Sequence, residues 1–179
     1  MTGVFLQDKN SADLIKELFD NGHYVGPHSN EHLLYSPWED RDSLLVSESE
    51  FKSDLLANIN KLKAIGISNI DKFVAPYEWY NSTIQTWTAE MGLALYNFTP
   101  GLRTAADYTY PEMDKKYMSS QAILTQLENK EIDTGLNGHI IIVHIGADPR
   151  RTDKFFNQLE KLIDHLKEKN YKFVSLSEL

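Results

Sequence analysis

The chain has 179 residues, of which 41% are hydrophobic, and this size and composition predict one domain, residues 1–179, with a substantial core. The net charge of −8, without a run of basic residues, argues against nucleic acid or an anionic membrane surface as a partner and favours a neutral or cationic substrate. The sequence has neither an apolar run of membrane-spanning length nor a secretory signal after Met1, and because it lacks cysteine, any metal must be bound by His, Asp or Glu.

Short apolar segments alternate with amphipathic segments along the chain. Strands are predicted over residues 1–6, 23–26, 72–75, 93–98, 138–144 and 171–176. Helices are predicted between them, over residues 11–21, 47–66, 81–92, 120–129 and 152–170. The clearest helix starts at Ser47, where Ser47 and Glu50 have the spacing of a capping box. The β-branched run at 138–144 is typical of a strand buried on both faces. This alternation predicts an α/β fold with a parallel sheet or barrel.

Unusual polar residues follow the predicted strands. His28 and His32 come after the second strand, Glu78 after the third, Asp107 in the long loop beyond the fourth, and His144 ends the fifth. Because the carboxyl ends of parallel strands meet at one rim, we expect these side chains to converge on one site.

The histidine pair His28 and His32 is a candidate metal site. If the chain turns helical after Pro27, residues four apart lie on one face and two imidazoles can share a divalent cation. A hydrolytic site usually adds a third protein ligand and leaves one position open. A His-x-x-x-His pair alone is a weak signal, and two structural histidines are the alternative.

The other polar residues suit roles around such a cation. His144 is a candidate general acid, and Asp107 is a candidate to orient that imidazole or balance its charge. Taken singly, a structural histidine and a solvated carboxylate are the alternatives. Glu78 lies between Tyr77 and Trp79, and a carboxylate among aromatic rings suits a sugar, whereas ordinary packing is the alternative for the rings.

Three segments resemble the motifs of a known family. The segment GHYVGPHSNEH at 22–32 is similar to the second motif of the polysaccharide deacetylases, the NodB-homology group of carbohydrate esterases. FVAPY at 73–77 resembles the third motif, and IVH at 142–144 resembles the fifth. The resemblance extends over nearly the whole chain and implies a distorted, incomplete (β/α) barrel with parallel strands, of the glycoside hydrolase and deacetylase type.

The resemblance also implies an activity, namely removal of acetyl groups from N- or O-acetylated oligo- or polysaccharides. In the family, the two histidines of the second motif bind a divalent metal, zinc in the first place, with nickel or cobalt as alternatives. The metal polarises the acetyl carbonyl, an aspartate acts as base, and the histidine of the fifth motif protonates the leaving group. This assigns His28 and His32 to the metal and His144 to the acid.

Two departures from the family pattern set the remaining expectations. The family's acidic first motif has no counterpart in this chain, which starts beyond the point where that motif would occur, and Val74 replaces the arginine of the third motif. We therefore expect an N-terminally truncated deacetylase of impaired activity, with self-association covering the exposed edge. A non-catalytic carbohydrate-binding protein and a different metal hydrolase of the same barrel type are the alternative hypotheses. Full-length relatives are often exported, so localisation stays open.

Overall fold

The computed structural model describes residues 1–178 and contains helices and two short strands. The helices are α1 (Lys9–Asp20), α2 (Glu48–Ala64), α3 (Ser82–Glu90), α4 (Ser120–Thr134) and α5 (Leu159–Glu168), and the strands are β1 (Lys72–Val74) and β2 (Ala94–Tyr96). The chain divides into two compact units. Unit 1 comprises Met1–Asn97 and the residues from Val174 onward, and unit 2 comprises Phe98–Phe173.

The helix starts follow from local hydrogen bonds. The predicted capping box is confirmed, because the Ser47 hydroxyl accepts from the Glu50 amide while the Glu50 carboxylate accepts from the Ser47 amide. Asn81 caps α3 through a single bond, with its side chain accepting from the Ile84 amide. The helix predicted from residue 11 starts earlier, at Lys9, because its cap is Asp8, which accepts hydrogen bonds from both the amide and the hydroxyl of Ser11.

Strands β1 and β2 pair in parallel, which confirms the predicted direction of the sheet. The register aligns Phe73 with Leu95. The predicted second strand at 23–26 does not join this sheet. The hydrogen bonds that this segment makes to Lys72 come from the Tyr24 side chain and not from its backbone. The Tyr24 hydroxyl accepts from the Lys72 amide at 2.8 Å and lies 3.1 Å from the Lys72 carbonyl, to which it donates.

The predicted first strand at residues 1–6 is also wrong. The amides of Gly3 and Val4 donate to the carbonyls of Ser29 and Asn30, and the chain then tightens into a 3₁₀ helix at Phe5–Gln7. The segment therefore bends against the residues around His28 and does not continue as a strand.

Unit 1 is built around α2 and the sheet. Its main core consists of Tyr35, Phe51, Leu55, Ile59, Phe73, Ala75, Ile84 and Leu93. A second cluster joins α1 to α2 through Ile15, Val25, Leu62 and Ile67. The buried side of α2 thus packs against β1 and supports the loop that follows residue 26.

Unit 2 packs α4 and α5 around its own core, formed by Leu102, Ile123, Leu124, Leu127, Leu136, Phe155, Leu162 and Leu166. The segment 138–144 forms no strand, with Gly138 and His139 exposed and residues 140–144 half-buried, so the prediction of a strand buried on both faces is wrong. Ile141 and Val143 pack against the core, whereas the backbone pairing of this segment involves Ile140 and Thr99. The predicted last strand, at 171–176, is also wrong, because residues 171–175 form neither helix nor strand and a 3₁₀ helix follows at Leu176–Glu178. Within residues 1–178, no helix is both long and apolar enough to cross a bilayer.

Candidate functional site

His28 and His32 lie on a loop of unit 1 that follows residues 23–26. The chain does not turn helical after Pro27, because Ser29 and His32 have left-handed backbone angles, with φ of 68° and 57°. The loop nevertheless brings the two imidazoles together, with ring centroids 5.1 Å apart and an interplanar angle of 62°. The loop thus achieves the juxtaposition that the helix was expected to provide.

One carboxylate, that of Asp54 on α2, holds this loop. It accepts from the Ser29 hydroxyl at 2.6 Å, from the Asn30 amide at 2.9 Å and from the Glu31 amide at 3.0 Å. The Ser29 hydroxyl in turn accepts from the Leu33 amide at 3.2 Å. These bonds satisfy backbone groups that a left-handed turn leaves outside any helix or sheet. Asp54 is a residue that the sequence analysis missed, since its position within α2 looks like that of any helix-surface carboxylate.

The His28 side chain is oriented by β1. Its Nδ1 lies 2.8 Å from the Val74 carbonyl oxygen, which can only accept, so Nδ1 carries the proton and Nε2 has the lone pair. The His28 amide donates to the Asn58 side-chain oxygen at 2.9 Å. An imidazole whose other nitrogen donates to a backbone carbonyl is the usual arrangement of a metal-binding histidine. The donor set therefore fits two ligands of a divalent first-row cation.

A complete ligand set is not found in the described part of the chain. Within residues 1–178, no group of three His, Asp, Glu or Cys side chains is placed to hold one ion. Glu31 is exposed and its carboxylate accepts from the Asn30 side-chain amide. The two imidazoles are thus the candidate ligands that unit 1 brings together.

An aromatic cluster adjoins His32. The Tyr77 ring lies 4.5 Å from the His32 ring and 5.7 Å from the Trp38 ring, and Trp38 lies 5.5 Å from Trp79. Tyr77 and Glu78 both have positive φ, 60° and 53°, a strained conformation for residues other than glycine. Of the predicted sugar-binding residues Tyr77, Glu78 and Trp79, Tyr77 therefore contacts His32 directly, and Trp79 belongs to the same aromatic cluster through Trp38.

In unit 2, the His144 imidazole is bonded to Asp107. Nδ1 lies 2.5 Å from one carboxylate oxygen of Asp107, and the His144 amide donates to the other at 2.6 Å. Asp107 is 3% exposed, whereas His144 remains 34% exposed and packs edge-on against Tyr108. The carboxylate can thus fix the imidazole orientation, which is the role predicted for Asp107 from the sequence.

A buried arginine supports the Asp107 segment, which forms a 3₁₀ helix at Thr104–Tyr108. Arg151 is fully buried and donates to the carbonyls of Ala106, Thr109 and Met118. Its guanidinium also donates to the Ser120 hydroxyl at 3.0 Å. Arg151 could not be identified from the sequence, because nothing in the pattern RR at 150–151 marks one arginine as buried.

Comparison with known proteins identifies the family. The family model described as polysaccharide deacetylase matches residues 1–96, which is more than half of the chain. This chain belongs to the polysaccharide deacetylase family. The match includes both histidines of the candidate metal site and the aromatic segment that follows β1.

Solved structures agree with this polysaccharide deacetylase assignment at the level of the fold. A carbohydrate esterase family 4 pseudoenzyme from Bacillus anthracis is 18% identical with a TM-score of 0.63, and the alignment covers 96% of this chain and 51% of that one. A family 4 carbohydrate esterase from Bacillus anthracis is 22% identical, with a TM-score of 0.65 and coverages of 99% and 65%. The peptidoglycan deacetylase PdaC from Bacillus subtilis, solved as a mutant, is 19% identical, with a TM-score of 0.67 and coverages of 99% and 72%.

The extent of these matches differs between the proteins. This polysaccharide deacetylase chain spans about half the length of the pseudoenzyme and of two of its mutants, one of which is described as having restored enzymatic activity. No curated protein matches the chain at a significant level. The comparisons therefore show an α/β fold shared with family 4 carbohydrate esterases, with a short parallel sheet in this chain.

Proposed function

We propose that this chain is a metal-dependent carbohydrate deacetylase domain, residues 1–179, that hydrolyses acetyl groups from N- or O-acetylated sugars on a distorted, incomplete (β/α) barrel. Family membership and the peptidoglycan deacetylase among the similar structures support this activity. The observation that carries the proposal is the pairing of His28 and His32 at 5.1 Å, with His28 Nδ1 bonded to a backbone carbonyl.

His28 and His32 would hold the cation, with zinc proposed first and nickel or cobalt as alternatives. When bound, such a cation supplies a Lewis acid that polarises an acyl carbonyl. The loop held by Asp54 keeps the two imidazoles in position. The rings of Tyr77 and Trp79 offer apolar surfaces to a sugar ring, and Glu78 offers acceptors to its hydroxyls.

His144 would protonate the leaving amine or alkoxide. Its Nδ1 proton is directed to Asp107, so the proton available for transfer is the one that protonated His144 carries at Nε2. Asp107 holds the ring in this orientation through two contacts, one to Nδ1 and one to the His144 amide. The exposed fraction of His144 gives a substrate access to the ring.

Metal analysis combined with acetate release tests the proposal. Protein treated with chelator and reloaded with zinc should retain the metal, and His28→Ala and His32→Ala should each lower its content. His139→Ala is the matched control, because His139 is exposed and belongs to unit 2. Equal metal content in all four proteins would refute the metal site. Metal retention without acetate release from acetylated chitooligosaccharides and acetylated xylan would refute catalysis on these substrates.

A non-catalytic carbohydrate-binding protein is the second candidate. One observation favours it, namely that the described residues 1–178 bring together two candidate ligands and no third. One of the proteins with a similar structure is described as a pseudoenzyme, which also supports this candidate. Saccharide binding without acetate release in the presence of zinc would support this candidate over the enzyme.

A further inference from the structure

The aromatic cluster beside His32 extends to a residue to which no role has yet been given. Trp38 is 54% exposed and Tyr77 is 45% exposed, although both are large aromatic side chains. Trp38 meets Tyr77 nearly at right angles, at 82°, and is tilted by 35° from Trp79. One side of the Trp38 indole therefore packs against other rings while more than half of its surface faces solvent.

Hydrogen bonds on both sides of Trp38 hold the loop that carries it. The Trp79 indole N–H donates to the Pro37 carbonyl at 3.3 Å, which ties the residue before Trp38 to the cluster. On the other side of Trp38, the buried Asn81 side chain donates to the Arg41 carbonyl at 3.1 Å. A ring on a loop tied at both ends offers a surface of defined orientation and loses little conformational entropy on binding.

Arg41 completes the support of the cluster. Its guanidinium lies 4.4 Å from the Trp79 ring centroid, and its Nε donates to the Tyr80 carbonyl at 2.6 Å. The Arg41 guanidinium thus lies over the face of the Trp79 ring and stabilises it through a cation–π contact. Three exposed residues next to Trp38 and Arg41 in the sequence are acidic, namely Glu39, Asp40 and Asp42. This local charge disfavours an anionic ligand and leaves carboxylate acceptors for hydroxyl donors.

The cluster is continuous with the proposed metal site, because Tyr77 contacts both Trp38 and His32. A ligand whose reacting sugar lies near His32 would therefore place a neighbouring sugar over the aromatic rings. Pyranose rings have apolar faces and hydroxyl edges, which suits an exposed indole with acidic residues next to it in the sequence.

We infer that Trp38, supported by Tyr77 and Trp79, forms a stacking subsite for one ring of an uncharged oligosaccharide. This subsite rests on the proposed function, since it lies next to the same histidines. The subsite would determine which substrates bind, because the exposed ring favours uncharged oligosaccharides and the local negative charge disfavours polyuronates.

Titration of oligosaccharides into protein held in EDTA tests this subsite without any catalytic turnover. The probes are the N-acetylglucosamine tetramer and hexamer, a xylohexaose and an oligogalacturonate of similar length. For any uncharged probe that binds the wild type, Trp38→Ala should raise the dissociation constant by at least about fivefold. The reason is that stacking contacts contribute on the order of 1 kcal/mol. Trp38→Phe should restore part of the affinity. Phe173→Ala is the matched control, because Phe173 is equally exposed, at 55%, and belongs to unit 2.

The outcomes separate the subsite from the proposed activity. Loss of affinity in Trp38→Ala, with Phe173→Ala unchanged and circular dichroism unaltered, supports the subsite even if wild type releases no acetate. Equal affinity of wild type and Trp38→Ala, binding of none of the uncharged probes, or tighter binding of oligogalacturonate would overturn the subsite. In those cases acetate release with zinc would still support the deacetylase.

Discussion

Replacement of Asp54 by alanine should loosen the loop that carries both imidazoles. The change removes one acceptor from three donors, the Ser29 hydroxyl and the amides of Asn30 and Glu31. Hydrogen bonds to a charged acceptor contribute about 1.5–3 kcal/mol each. Asp54 is half-buried, so water can replace it at the outer amides, but the fully buried Ser29 cannot be rehydrated in the same way.

We therefore expect Asp54→Ala to lower the free energy of unfolding by about 2–4 kcal/mol, less than the sum of three charged hydrogen bonds. Asp54→Asn retains one acceptor and should lose less. Urea unfolding followed by circular dichroism measures this change. Zinc titration should show at least about tenfold weaker binding, because the loop no longer holds the imidazoles in one orientation.

The matched control is Asp13→Ala. Asp13 is also a carboxylate on a helix, but its partner is the exposed Lys9 ammonium at 2.6 Å, and an exposed pair of this kind contributes about 0–1 kcal/mol. If Asp54→Ala and Asp13→Ala had the same stability and the same zinc affinity, the role assigned to Asp54 would be refuted.

Three further predictions concern other parts of the chain. His144→Ala should lower kcat for acetate release by about 10²–10⁴-fold with unchanged zinc content, and an unchanged kcat would exclude the acid role. Arg151→Met should lower the free energy of unfolding by about 3–5 kcal/mol, because it strips buried carbonyls of their donors, and a loss below about 1 kcal/mol in urea unfolding would show that they find other partners. Hydrogen bonds from the Ser47 hydroxyl and backbone lower the pKa of Glu50, so the capping box stabilises the fold above the pKa of unfolded glutamate and loses this effect as pH falls through the lower folded pKa. Ser47→Ala should consequently destabilise the protein more at pH 7 than at pH 3, and equal losses at both pH values would contradict this reasoning.

Local features of the fold could be predicted from the sequence. The capping box at Ser47 depends on side chains within three residues of the groups they satisfy. The segments at 72–75 and 93–98 were predicted as strands, and their central residues pair as β1 and β2. Such elements are determined by short-range hydrogen bonds or by strong apolar runs.

Strands whose partners are distant in sequence were harder to predict. At 23–26, the phenol of Tyr24 binds Lys72 where a backbone ladder was expected, and no periodicity in the sequence distinguishes these two modes. The left-handed turn at Ser29 was missed for the same reason, because it depends on Asp54, which lies on α2. The sequence placed His28 and His32 in one site, but the conformation of the loop between them is determined by tertiary contacts.

Arg151 has a consequence for how unit 2 opens. Its side chain joins Ala106, Thr109, Met118 and Ser120, segments that lie 31 to 45 residues away along the chain. Opening any one of them would expose a buried guanidinium, so the segments should separate from the arginine together. Native-state hydrogen exchange would then report a single opening free energy for the amides of Ala106 and Thr109, and the Asp107 carboxylate would lose its contact with His144 in that same event.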